Sequence, residues 1–138
     1  MAKTPVTFKA NDYEAREVAK LTYNFNQAID KEGQMAGVPR GGKITVRVKA
    51  LNDSGKQNQL LQWMLDPIKK QDGTITFLKS TDGSTLKTIK FEHAYCVSYT
   101  EFWEDQTGEG NTLAHYEEIV ISCRRITNAQ AKFQNLWA

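Results

Sequence analysis

The sequence has no apolar run near the roughly 18 residues that a membrane-spanning helix requires, and its first residues, MAKTPVTFKAN, lack the apolar core of a secretory signal. Direct membrane insertion is therefore not expected, and synthesis in the cytoplasm is. Cysteine is scarce. Cys96 and Cys123 stand alone, too few for a disulfide framework, which fits a reducing compartment. An excess of one charge is missing as well: 18 Lys and Arg against 16 Asp and Glu leave +2, far from the basic surplus of a duplex nucleic-acid binder. No internal repeat, low-complexity tract or Pro/Gly/Ser linker divides the 138 residues. One domain over 1–138 follows, large enough to bury roughly 70% of its unfolded surface without staples.

What the sequence does contain is alternation. Pro5–Ala10 places Val6 and Phe8 on one side. Over Glu17–Gln27, Ala19, Leu21, Tyr23 and Phe25 share one face and Lys20, Thr22, Asn24 and Asn26 the other. Ile44–Leu51 repeats the pattern, with Ile44, Val46, Val48 and Ala50 inward and Thr45, Arg47 and Lys49 outward. Gly73–Ser80, Thr85–Trp103 and Ala114–Ile126 read as further strands. The middle one is too long for an ordinary strand, so a turn or bulge is expected near His93–Ala94; Ile89, Phe91, Tyr95, Val97 and Tyr99 share its parity. The spacing predicts one helix over about residues 57–66, with Leu60, Leu61, Met64 and Leu65 on one side, cap oxygens at Asn52–Ser54, and Pro67 as its stop. About seven strands and one flanking helix make an all-β fold, a compact antiparallel barrel or sandwich of two sheets.

Between the second and third strands the alternation stops from Asp30 to Gly42. This stretch is long for a compact domain, and such loops are usually functional. It contains Gly37-Val-Pro-Arg-Gly-Gly42-Lys43, which matches the phosphate-loop pattern G-x-x-x-x-G-K. That motif needs a helix leaving the loop and a Ser or Thr after the Lys. Here Ile44 follows, a strand leaves, and Pro39 removes a backbone donor. Nucleotide binding is not expected.

Other constellations are equally thin. His93-x-x-Cys96 is half a zinc site, but in a continuous strand the two residues face opposite ways, and His115 and Cys123 lack zinc-ribbon spacing. No metal or other cofactor is expected. A Cys96–His pair lacks any local catalytic signature, and Glu101, Glu104, Asp105, Glu117 and Glu118 read as solvated acids near a strand end. No catalytic residue is assigned, and the protein is not expected to be an enzyme. Trp63, Trp103, Trp137, Tyr95 and Tyr99 could form a stacking platform for single strands. The pairs Lys69-Lys70 and Arg124-Arg125 read as exposed cations.

Several segments in order carry a resemblance. RGGKITVRV (40–48), LLQWMLDPIKKQDGTITFLK (60–79), LKTIKFEHAYCVSYTEFW (86–103) and the closing SCRRI (122–126) together resemble the Hcp family, the TssD-like tube proteins of type VI secretion systems, in the branch found in Bacteroidetes. The resemblance implies a barrel with one helix at its side. It further implies hexameric rings stacked into a hollow tube, which a contractile sheath drives behind a spike, from a baseplate, with effectors aboard. Localisation is then cytoplasmic, followed by secretion through the apparatus.

Under that resemblance Thr22, Asn24, Asn26, Thr45, Arg47 and Lys49 are expected to line the lumen. Met35, Val38 and Arg40 are expected in a loop that reaches the next ring. The competing reading is a monomeric β-barrel that binds a small ligand or single-stranded nucleic acid.

Overall fold

The computed structural model describes residues 5–11, 13–37, 40–50, 58–79, 81–105, 113–128 and 130–135. Among these residues are seven strands and one helix: β1 (Val6–Ala10), β2 (Arg16–Tyr23), β3 (Lys43–Lys49), α1 (Gln59–Leu65), β4 (Gln71–Leu78), β5 (Thr85–Asp105), β6 (Leu113–Asn128) and β7 (Ala131–Gln134). The two sheets expected from the sequence are one. A single antiparallel sheet runs in the order β3-β2-β1-β4-β5-β6-β7, and a β3–β6 pairing closes the first six strands on themselves. Closure removes two sheet edges that would otherwise stand open. β7 lies outside the ring of strands, paired with β6 from Arg125–Gln134 to Asn128–Ala131.

β3 shows why the barrel forms. Ile44, Val46 and Val48 are fully buried, while Lys43 and Lys49 are exposed and Thr45 and Arg47 half-buried. The branched side chains meet Phe8, Ile75, Ile89, Phe91, Ile119 and Ile121 in one core, where Phe8 and Phe91 stack at 5.6 Å. The helix adds Leu60 and Trp63, both buried. Leu65, expected on the inner face, is instead exposed. Trp63 takes the inner position, its indole N–H donating to the Lys69 carbonyl at 3.1 Å. α1 is shorter than the expected 57–66. Asn58 caps it without a side-chain bond, and Asp66 is already extended before Pro67. The suggested cap at Asn52–Ser54 lies outside the described residues.

Two strands depart from strict alternation. In β2 the register slips between Val18 and Lys20, so Ala19 is exposed, not grouped inside with Leu21 and Tyr23. In β5, His93 has φ 51°, and the β4 partners step from Gly73–Phe91 to Gln71–Ala94. This is the irregularity expected at His93–Ala94, and the Asp72 carboxylate fixes it by accepting the His93 N–H at 2.8 Å. A second slip follows between Cys96 and Ser98. The inward set is therefore Ile89 and Phe91, then Ala94 and Cys96; Tyr95 is only half-buried and Val97 is exposed.

Candidate assembly surfaces

Four consecutive strands of the barrel, β2-β3-β6-β5, carry a polar outer face. Its rows follow from register: Lys20, Arg47, Glu118 and Thr100 lie side by side, as do Thr22, Thr45, Val120 and Ser98, and then Lys43, Ser122 and Tyr95. Arg47 pairs with Glu118 at 3.2 Å and lies 4.6 Å over the Phe102 ring. Lys49 pairs with Glu17 at 3.0 Å. Of the expected lumen residues, Thr22, Thr45, Arg47 and Lys49 share this face. Asn24 and Asn26 follow the end of β2 at Tyr23 and stand exposed at the root of the following loop.

Both borders of this four-stranded face are open. Among the described residues, β1 meets β2 only at Thr7–Glu17 and Phe8–Arg16, so β2 has no neighbour there from Val18 onward. A groove of about 550 Å3 marks the divergence, lined by Val6, Val18, Leu21 and Phe77 with Lys20 and Lys49 at its sides. At the other border, β5 leaves β4 after Ala94 and continues to Asp105 with β6 as its one partner strand among the described residues. Exposed Trp103 and Phe102 lie on that extension.

Residues 24–37 and 40–42 belong to a finger. It is a loose antiparallel hairpin: Asn26 and Arg40 exchange backbone bonds of 2.9 and 2.6 Å, and Ile29 bridges Met35. At the tip the Asp30 carboxylate accepts the N–H groups of Glu32 and Gln34 at 3.0 and 2.9 Å, and Gly33 takes φ 83°. The tip is thus folded on itself while its apolar side chains face outward, Ile29 68% and Met35 66% exposed. Arg40 is exposed beside the root; Val38 lies outside the described residues.

The finger's root is clamped by the end of the chain. Phe25 packs against Tyr23 at 5.9 Å and Phe133 at 4.8 Å. The Asn135 side-chain amide donates to the Cys123 carbonyl at 2.8 Å and the Gly41 carbonyl at 3.4 Å. Gly42 has φ 96°, and its carbonyl accepts the Cys123 N–H at 2.7 Å. A Cβ there would strike the Asn135 amide and come within 2.8 Å of the Cys123 carbonyl. Gly42, the second glycine of the G-x-x-x-x-G-K match, thus serves a packed corner from which Lys43 enters a strand, with no helix leaving it. The sequence reading missed this clamp, since AKFQ is too short to show a period.

Among the described residues the core holds one charged cluster. Arg16 and Glu117 are each 2% exposed; the guanidinium meets Glu117 at 2.5 Å and donates to the Lys49 carbonyl at 3.2 Å. The Tyr99 hydroxyl donates to the other Glu117 oxygen at 2.5 Å. Burial, and then the Glu117 carboxylate, push the Tyr99 phenol well above its usual range. Glu117 is therefore not the solvated acid the sequence suggested.

The remaining candidates are dispersed. Glu118 pairs with Arg47, and Glu101 with His115 at 2.7 Å, while Glu104 is exposed. His93 is exposed and Cys96 buried on opposite sides of the β5 irregularity. Burial pushes the Cys96 thiol up to about 11 and Cys123 up to about 12, away from the reactive thiolate. Trp63 is buried in the core and Trp103 is 62% exposed, so no common platform joins them; Trp137 lies outside the described residues. Lys69 and Lys70 lie over the rings of Tyr13 and Tyr95, and Arg125 pairs with Glu92 at 3.1 Å. Among the described residues no helix is long and apolar enough to cross a membrane.

Comparison with known proteins places these surfaces in context. The family model described as hemolysin coregulated protein Hcp (TssD) matches residues 3–138. Hcp1 from Flavobacterium johnsoniae, a member of the Bacteroidetes, superposes with a TM-score of 0.82 at 27% identity, over 95% of this chain and 99% of that one. Hcp1 from Salmonella typhimurium gives 0.67 at 12% identity, over 97% and 95%. The sheath/tube terminator of an extracellular contractile injection system, PVC, shares the fold at 0.55 and 20% identity, over 91% and 93%. No match was found among curated protein sequences.

Proposed function

This chain belongs to the Hcp (TssD) family and is a structural subunit of the type VI secretion tube, and we propose that six copies close into a ring whose inner wall is the polar β2-β3-β6-β5 face. The observation that carries this reading is the pair of open borders. One is the β2 edge with its groove of apolar floor and charged sides; the other is the extension of β5 beyond β4. The two edges differ, so a contact between them is head-to-tail, and rotation to closure turns such a contact into a ring. Edge-to-edge pairing satisfies backbone groups that a monomer leaves to solvent. Thr22, Thr45, Arg47 and Lys49 then face the lumen, and Asn24 and Asn26 lie at its rim.

The finger makes the axial contact. Ile29 and Met35 are large apolar side chains on a self-bonded tip, each about two-thirds exposed. They meet the next ring, with Val38 and Arg40 completing the loop. A standard interface of about 1,600 Å2 within the ring and smaller ones between rings let a stacked column hold and later release.

The role is mechanical, without catalysis. High-lying buried thiols and paired, separated acids support that reading. The tube works with sheath, spike and baseplate proteins and carries effectors out of the cytoplasm.

Light scattering with negative-stain imaging tests the ring. The expected product is an annulus of about 94 kDa, six copies of a 15.7-kDa chain. A monomer at micromolar concentration that shifts on adding an oligonucleotide would instead favour the binding-module reading.

A further inference from the structure

The outer face of β2-β3-β6-β5 is not neutral, and its imbalance has a pattern. Arg47 is matched by Glu118 and Lys49 by Glu17. Lys20 and Lys43 are exposed and have no acidic partner among the described residues. Register places Lys20 opposite Arg47 and Lys43 opposite Ser122, on either side of the Thr22–Thr45 pair. Four residues of strand therefore separate their levels, about 14 Å at the usual rise per residue. Between them lie the hydroxyls of Thr22, Thr45 and Ser98, with Ser122 beside Lys43, and the apolar side chains there are the small branched Val120 and the exposed Val97.

We infer that this face binds acidic protein cargo, with Lys20 and Lys43 as the cationic contacts and the hydroxyls between them as a wet, non-sticking floor. The inference rests on the ring proposed above, which would repeat the two lysines in every subunit and so set two cationic hoops along the bore. Enclosed by low-dielectric walls, such hoops concentrate a field that open surface lysines would lose to solvent. Sparse carboxylates on a protein fit this spacing. A nucleic acid fits it less well: its charges come every few ångströms, closer than the two lysine levels. Weak, screened contacts also suit cargo that must leave the tube.

The test uses assembled rings of the full chain and fluorescent poly-glutamate, poly-lysine and oligothymidylate probes, read by anisotropy at low and high salt. Poly-glutamate is expected to bind, and to be released by salt. The double variant Lys20→Gln/Lys43→Gln should weaken binding about tenfold or more, because the loss repeats around the ring, while Lys9→Gln, on β1 outside that face, should not. Rings of the double variant must still form by light scattering. Rings that bind poly-lysine or oligothymidylate as tightly as poly-glutamate, or a double variant that binds unchanged, would overturn the cargo assignment and leave the ring standing. Absence of rings from the unsubstituted chain would overturn both.

Discussion

Glu117 is the position where a small chemical change should cost most. Its carboxylate faces the Arg16 guanidinium at 2.5 Å, with both side chains almost wholly removed from water, and it also accepts the Tyr99 hydroxyl. Glu117→Ala removes the counter-charge but leaves the cation inside. Breaking a buried pair from one side costs about 3–5 kcal/mol, and an orphaned hydroxyl adds about 1–3 kcal/mol if it finds no water. Because the groups share one site, the sum is not additive, and about 4 kcal/mol is the working figure. Domains of this kind have about 5–15 kcal/mol in total, so the variant should be only marginally folded. With a urea slope of about 2 kcal/mol per molar, the midpoint should fall by about 2 M.

The informative control removes every member of the cluster at once. Arg16→Met, Tyr99→Phe and Glu117→Leu together leave no buried charge and no orphaned donor. This triple variant should lie within about 2 kcal/mol of the parent, and so above Glu117→Ala. Both titrations follow tryptophan fluorescence at one fixed protein concentration, because ring formation stabilises by mass action. A midpoint for Glu117→Ala within about 0.5 M of the parent, or a triple variant worse than the single one, would refute the reasoning. The cluster would then be solvated, and its apparent burial irrelevant to stability.

Other outcomes follow from the same structure. Ile29→Ser with Met35→Ser should leave rings intact but reduce their stacking in light scattering; unchanged stacking would remove the finger from the axial contact. Asn135→Ala should speed amide exchange in residues 24–36 while β3 amides stay protected, since the Asn135 amide ties Gly41 to Cys123; equal protection would mean that the clamp is idle. Val48→Asp should abolish soluble rings, because Val48 is fully buried and a lone carboxylate there has no partner. Stability should fall as pH rises from about 9: the folded Cys96 and Cys123 values, about 11 and about 12, lie above the ordinary thiol value of 9.0. The protonated thiols are therefore fully accommodated below that value, and ionising them in alkali favours the unfolded chain. Cys96→Ala should blunt the alkaline loss, and an identical pH profile would count against the burial.

β3 could be read from the sequence because alternation is all that a half-buried strand needs, and Ile44, Val46 and Val48 obey it without exception. The helix stop was legible for a similar reason: Pro67 constrains its neighbour locally. Faces became illegible where one extra residue entered a strand. Ala19 and Val97 each shift parity, and nothing in their side chains announces it. A bulge was foreseeable in β5 only because the run was too long. The Arg16–Glu117 pair, 101 residues apart in sequence, has no local signal at all, since each residue reads as an ordinary charge on a strand. The same holds for Lys20 and Lys43, whose meaning depends on which neighbours are already paired.

The position of the finger joins the two proposed contacts in one element. It is the excursion between β2 and β3, so its two stems run directly into the strands of the polar face. Its root is tied sideways to β6 through the bond between the Gly42 carbonyl and Cys123, and to β7 through Phe133 and Asn135. Axial force on the tip therefore reaches β2, β3 and β6 along covalent backbone and ladder hydrogen bonds, without passing through flexible side chains. Those same strands bear the open β2 edge on which the ring is proposed to close. A loop of equal length grafted at the β4–β5 turn would project equally far but would load only β4 and β5, which lie at the other side of the barrel's opening. The placement of the finger, more than its composition, is what suits this chain to a column that is pushed from behind.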